Sequence, residues 1–175
     1  NQQIGTICTI KIMSDTYKTI IAPTEGIYKE KGSKFLSFAI PVSSVDEVKE
    51  IVKNYRKEYY DSRHVCYAYM LGADRKEFRA NDDGEPSGTA GRPILGQINS
   101  RELTNILVIV VRYFGGILLG TGGLVVAYKE ATTDALNQAE VIEKTVDETI
   151  AILFDYVLMN EVMRIIKDKI GRAHV

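Results

Sequence analysis

Apolar residues recur along this chain with two periods, and the switches between them mark out its elements. Residues 26–42 alternate through Ile27 and Lys29, cross Lys31-Gly32-Ser33, and resume at Phe35, Phe38 and Ile40, which predicts two strands joined by a short turn. Ser44 then precedes Val45, Val48, Ile51, Val52 and Tyr55 at helical spacing, with Asp46 and Glu47 in the first turn. A hydroxyl followed by early carboxylates is a helix start, so a helix is expected from here to about Tyr59. Residues 64–71 read as a strand, 72–91 as a polar, glycine-bearing stretch, and 93–99 as a short helix. Residues 106–114 are almost continuously apolar or β-branched, as in a strand covered on both faces. Gly115, Gly116, Gly120, Gly122 and Gly123 follow, and then Leu124, Ala127, Tyr128, Ala131 and Leu136 at helical spacing, so the glycines lead into a helix N-terminus.

A boundary is expected near Lys144, where a strand-like segment (148–153) and a helix (160–169) begin. One strand and one helix cannot bury a core, so 145–169 is read as the start of a second domain after a first one over 13–144. Residues 1–12 begin without methionine and lack turn or capping chemistry, and Met13 reads as the start, which makes 1–12 a non-native or upstream extension. Residues 170–175, His174 among them, are read as a read-through artefact and given no functional weight.

The hydrophobic share of 45%, the charged share of 26% and only 4 prolines place the chain among globular proteins. Its net charge of −1 means that any contact with nucleic acid must rest on a local patch. Cys8 and Cys66 make no disulfide framework, which fits a reducing, cytoplasmic setting. The longest mid-chain apolar run, 106–111, is far short of the roughly 20 residues of a bilayer span, so no membrane partner is expected.

Two constellations could carry chemistry. The first holds Asp82, Asp83, Glu85, Ser87, Thr89 and Arg92 among Gly84, Pro86, Gly88, Gly91 and Pro93. It is either a capped turn, in which Asp82 or Asp83 bonds nearby backbone and Ser87 or Thr89 opens the short helix, or a ligand loop. The second runs from Arg112 through Gly115, Gly116, Gly120, Gly122 and Gly123. An arginine closing a buried strand is costly unless paired, with Asp83 and Glu85 as the available carboxylates. The glycines allow positive φ, and helix-start N–H groups favour an anion, although the lysine of a phosphate-binding P-loop and the dinucleotide glycine spacing are both missing. His64 shares a strand face with Cys66, and a hydrogen-bonded structural histidine is favoured over a catalytic one because no third group completes a triad. No catalytic residue, metal site or cofactor is therefore assigned. Tyr55, Tyr59, Tyr60, Tyr67 and Tyr69 are divided between core and rim, with no basic run beside them to support base stacking.

His64-Val65-Cys66-Tyr67-Ala68-Tyr69, the block 82–93, and Val111-Arg112-Tyr113-Phe114-Gly115-Gly116 with Gly120 and Gly123 together resemble the YigZ/IMPACT family over roughly residues 16–144. The resemblance implies an α+β fold, a two-layer αβ sandwich like the second domain of ribosomal protein S5. It also implies that 145–168 is the first strand and helix of a ferredoxin-like domain. It further implies a non-enzymatic, translation-linked role, with RNA or the ribosome, or a translation-regulating protein, as partner. The 82–92 loop, Arg112 and the glycine turn would then form the shared surface. The competing reading is an enzyme or sensor for a phosphorylated metabolite or nucleotide, with Asp83 or Glu85 as base and the glycine turn as an anion site.

Overall fold

The computed structural model describes residues 5–169, so the segment 170–175, with His174, lies outside the described residues. The chain divides into two compact units, one over Tyr17–Glu143 and a smaller one built from the chain's two ends, up to Thr16 and from Lys144 on.

The larger unit is built on a five-stranded antiparallel sheet in the order β2-β3-β6-β4-β5. The strands are β2 (Thr24–Glu30), β3 (Ser33–Pro41), β4 (His64–Leu71), β5 (Glu77–Asn81) and β6 (Ile106–Tyr113). β6 is central, and Ile106 to Val111 are fully buried because helices cover both of its faces. Its even-numbered residues meet α2 (Gly91–Ser100) and α3 (Gly120–Asn137) through Ile94, Ile98, Leu124, Ala127, Tyr128 and Ala131. Its odd-numbered residues meet α1 (Val45–Glu58) through Val48 and Val52. The expected α+β sandwich is present, but α1 covers the second face of the sheet, so the unit has three layers where two were expected.

Local chemistry explains the boundaries of α1. The Ser44 hydroxyl accepts the Glu47 N–H at 3.2 Å, while Arg56 and Lys57 sit in the last turn, where cations complement the helix dipole. The β2–β3 turn is drawn tightly against the end of β6. A Cβ on Gly115 would lie 2.0 Å from the Gly32 carbonyl carbon, so that approach requires glycine.

β1 (Thr6–Ile20) and β7 (Val141–Phe154) pair as a two-stranded sheet, so a strand runs through part of the segment in which the sequence showed no element. In the smaller unit Cys8, Ile10 and Ile166 are buried with Ile152, Phe154, Val162 and Met163, the last two on α4 (Met159–Lys169).

Candidate functional site

β4 and β6 are in register with His64 opposite Arg112, and β3 sets Phe35 on the other side of Arg112. Side chains directly opposite one another share a sheet face, so these three form a row facing α2 and α3. The loop after β5 delivers a carboxylate to that row. Asp83 and Gly84 have φ of 43° and 84°, and the Glu85 N–H closes the turn on the Asp82 carbonyl at 2.9 Å. This left-handed pair turns Glu85 into the interior.

The Glu85 side chain is only 2% exposed and that of Arg112 only 6%. Arg112 Nη1 donates to Glu85 Oε1 at 2.6 Å, and the Tyr128 hydroxyl donates to the same oxygen at 2.8 Å. His64 Nε2 lies 3.6 Å from it, while Nδ1 sits 2.6 Å from the Asp83 carbonyl. A carbonyl only accepts, so Nδ1 carries the proton of that bond. The Arg112 guanidinium lies between the rings of Phe35 and Phe114, at 5.6 and 5.5 Å, and Phe114 also receives Arg63 at 5.3 Å. Arg112 Nε is buried and has no hydrogen-bond partner among the described residues.

The other acidic residues of the loop serve the backbone. Asp82 accepts N–H groups from Gly88, Ala90 and Gly91 at 2.9, 3.1 and 2.8 Å, so it caps α2, whose own N-cap residue, Ala90, offers no side chain for the purpose. Burial pushes the Asp82 carboxyl up, but the amides of Gly88, Gly91 and Ala90, with Arg92 nearby, outweigh it and hold it below the ordinary carboxylate value. Asp83 accepts the Val65 N–H at 2.7 Å and pairs with Arg56 at 3.4 Å. Arg112 thus takes Glu85 of the two carboxylates available. The Thr89 hydroxyl donates to the Pro86 carbonyl at 2.6 Å, and Ser87 and Arg92 are exposed.

A cavity of about 410 Å³ opens beside the cluster, lined by Arg63, His64, Glu85 and Arg112 on one side and by Phe114, Leu119, Gly120 and Thr121 on the other. The N-cap of α3 is Leu119 and no side chain caps its first turn. The expected glycines divide between places. Gly120, with φ of 71°, lines the cavity, whereas Gly115 packs on the β2–β3 turn. Gly122 and Gly123, in the first turn of α3, line a separate depression with Tyr28, Glu30 and Lys31. Gly116, with φ of 88°, turns the loop between β6 and α3.

Tyr128 and Arg63 belong to the site and were not singled out from the sequence. Tyr128 reads as one more member of an apolar helical stripe, and only its buried hydroxyl end reveals the second role. Cys66 is buried, its Sγ 3.1 Å from the Asp82 carbonyl and 3.4 Å from the Tyr128 hydroxyl. Burial pushes its thiol well up, so it stays protonated and is a poor nucleophile. The Tyr128 hydroxyl is likewise pushed up by burial and by its Cys66 and Glu85 neighbours. Among the described residues no group of three or more His, Cys, Asp or Glu could hold a metal ion, and no helix is long and apolar enough to cross a membrane.

Comparison with known proteins follows the same residues. The profile of the Impact N-terminal domain matches residues 31–136. The IMPACT family member YigZ of Escherichia coli (strain K12) is 42% identical over 126 residues, covering 71% of this chain and 62% of its own length. The IMPACT family member YvyE of Bacillus subtilis (strain 168) is 35% identical over 150 residues, 86% of this chain and 69% of that protein. A solved structure described as a hypothetical protein superposes with a TM-score of 0.72 at 28% identity, over 93% of this chain and 97% of that one. With its profile matched across most of the larger unit and these relatives aligned through the Glu85–Arg112 site, the chain belongs to the IMPACT family.

Proposed function

We propose that this chain is a cytoplasmic, translation-associated binding module that takes a phosphate-bearing group of RNA or the ribosome in the cavity between Arg112 and the start of α3. One observation carries the reading. A nine-tenths buried guanidinium, held by Glu85 and left with Nε unpartnered, borders an uncapped helix N-terminus across an open cavity. Helix-start amides and a fixed guanidinium both favour an anion, and Arg63 adds charge at the rim. Family membership supports the link to translation. The segment from Thr145 on is proposed to begin the family's ferredoxin-like domain.

Co-sedimentation with ribosomes tests this. Thr121→Glu places a carboxylate where the anion would sit without disturbing a buried residue, and Arg63→Ala removes the rim charge. Both variants are expected to lower retention severalfold, and wild-type retention should fall as salt rises. Equal retention of wild type and both variants counts against the proposal.

A second reading rests on size, since a 410 Å³ cavity suits a small phosphorylated metabolite or nucleotide. Under that reading a nucleoside phosphate raises the melting temperature of the wild type and leaves Thr121→Glu unshifted.

A further inference from the structure

The outer face of α1 carries an arrangement that the cavity does not use. Lys49, Lys53 and Arg56 are spaced by four and three residues, so they stand in one row, with Lys57 beside them. At the helical rise, Lys49 and Lys57 are about 12 Å apart along the axis. The row borders a depression of about 470 Å³, lined also by Val52, Tyr67 and Tyr60, with no carboxylate among its lining residues. Tyr60 is 84% exposed just beyond the end of the helix.

Folding accounts for only part of this row. Asp46 and Glu50 stand three residues before Lys49 and Lys53, but Lys49, Lys53 and Lys57 repel one another at four-residue spacing, and only the last turn gains from the helix dipole. Among the described residues only Arg56 of the four cations has an ion-pair partner, Asp83 at 3.4 Å. The neighbouring edge strand carries Arg79 opposite Tyr69 and Glu77 opposite Leu71 on the same α1 face, so it adds one charge of each sign. No contiguous basic run marks these residues in the sequence, but the helix gathers three lysines without ion-pair partners among the described residues beside an exposed aromatic ring, and that arrangement points to a ligand.

We infer that the α1 face is a track for single-stranded nucleic acid, with Lys49, Lys53 and Lys57 on backbone phosphates and an unpaired base stacked on Tyr60. A duplex keeps its base faces inside and an acidic peptide has none, so neither makes use of an exposed phenol ring among cations. The track also meets the cavity. Asp83, the partner of Arg56, accepts a hydrogen bond from His64 on the cavity rim through its own carbonyl.

Fluorescence anisotropy decides the matter, using an oligouridylate of roughly 12 nucleotides, within the span such grooves cover. An RNA duplex of the same length and polyglutamate serve as competitors. Tyr60→Ala is expected to weaken single-strand binding roughly tenfold. Lys53→Ala combined with Lys57→Ala should lower the slope of log K against log salt by about 1.4, at ~0.7 for each lost phosphate contact. All three side chains are exposed, and an unchanged melting temperature verifies the fold of each variant. The inference is overturned if both variants bind as the wild type does, or if duplex or polyglutamate competes as well as the single strand. Thr121→Glu separates the two sites. If it alone abolishes oligouridylate binding, the α1 track fails while the cavity reading stands; if only the α1 variants do, the track stands by itself.

Discussion

The two faces of the five-stranded sheet handle charge in opposite ways. Toward α2 and α3, Glu85 accepts from Arg112 and the Tyr128 hydroxyl inside the protein, with His64 3.6 Å away and bonded to the Asp83 carbonyl. Toward α1, the buried layer is apolar and aromatic, with Phe38 against Tyr55 at 4.9 Å, and the cations stand outside on the helix. A single strand produces both, since β4 alternates His64 and Cys66 to one side and Val65 and Tyr67 to the other. Buried charge demands partners fixed in position, whereas exposed charge costs little to keep and is free for a ligand.

The largest effect is expected on the inner face. Glu85→Ala leaves the Arg112 guanidinium buried without its partner and should cost about 3–5 kcal/mol in urea denaturation. Glu85→Leu combined with Arg112→Met should recover most of that loss, because the pair's gain is largely offset by its desolvation. A double variant as unstable as Glu85→Ala would mean that the loop, and not the charge, is what the pair supports.

Next comes Asp82, which serves backbone at the edge of the same face. Asp82→Ala should cost about 0.5–2 kcal/mol at neutral pH by uncapping α2. The folded carboxyl titrates below its ordinary value of 3.8, so its contribution is full above that pH and fades as pH falls through the lower folded value. The stability gap between wild type and variant, measured by thermal unfolding across pH, should close in that acidic window and stay constant from pH 5 to 7.

The smallest effect belongs to the outer face. Lys53→Ala with Lys57→Ala should change stability by less than about 0.5 kcal/mol, since both side chains are exposed and neither has an ion-pair partner among the described residues. A loss comparable to that of Asp82→Ala would erase the contrast between the faces.

The elements that were legible in the sequence owe their boundaries to neighbours close in the chain. Ser44 sits directly before α1, and β6 follows from an uninterrupted apolar run. β5 leaves no signal because Glu77 to Ala80 are all exposed on an edge strand, so no burial period exists to be read. β1 leaves none because its partner, β7, lies at the other end of the chain. α2 starts two residues before the helix that the sequence predicts because its cap comes from Asp82, nine residues before Gly91.

The amino-acid order alone determined the α+β class, the helix and strand positions in the middle of the chain, and the pairing of an acidic loop with the arginine of a buried strand. Those follow from periodicity, capping and the cost of an unpaired buried charge, which act within a few residues or admit few partners. The tertiary structure decided that Glu85 and not Asp83 meets Arg112, that Tyr128 completes the cluster, and that Gly122 and Gly123 line a second depression. It also decided that the α1 cations are exposed and border an open depression with Tyr60 and Tyr67. Each of these depends on the register between strands and on which helix face turns outward, and those are set by contacts between residues far apart in the chain.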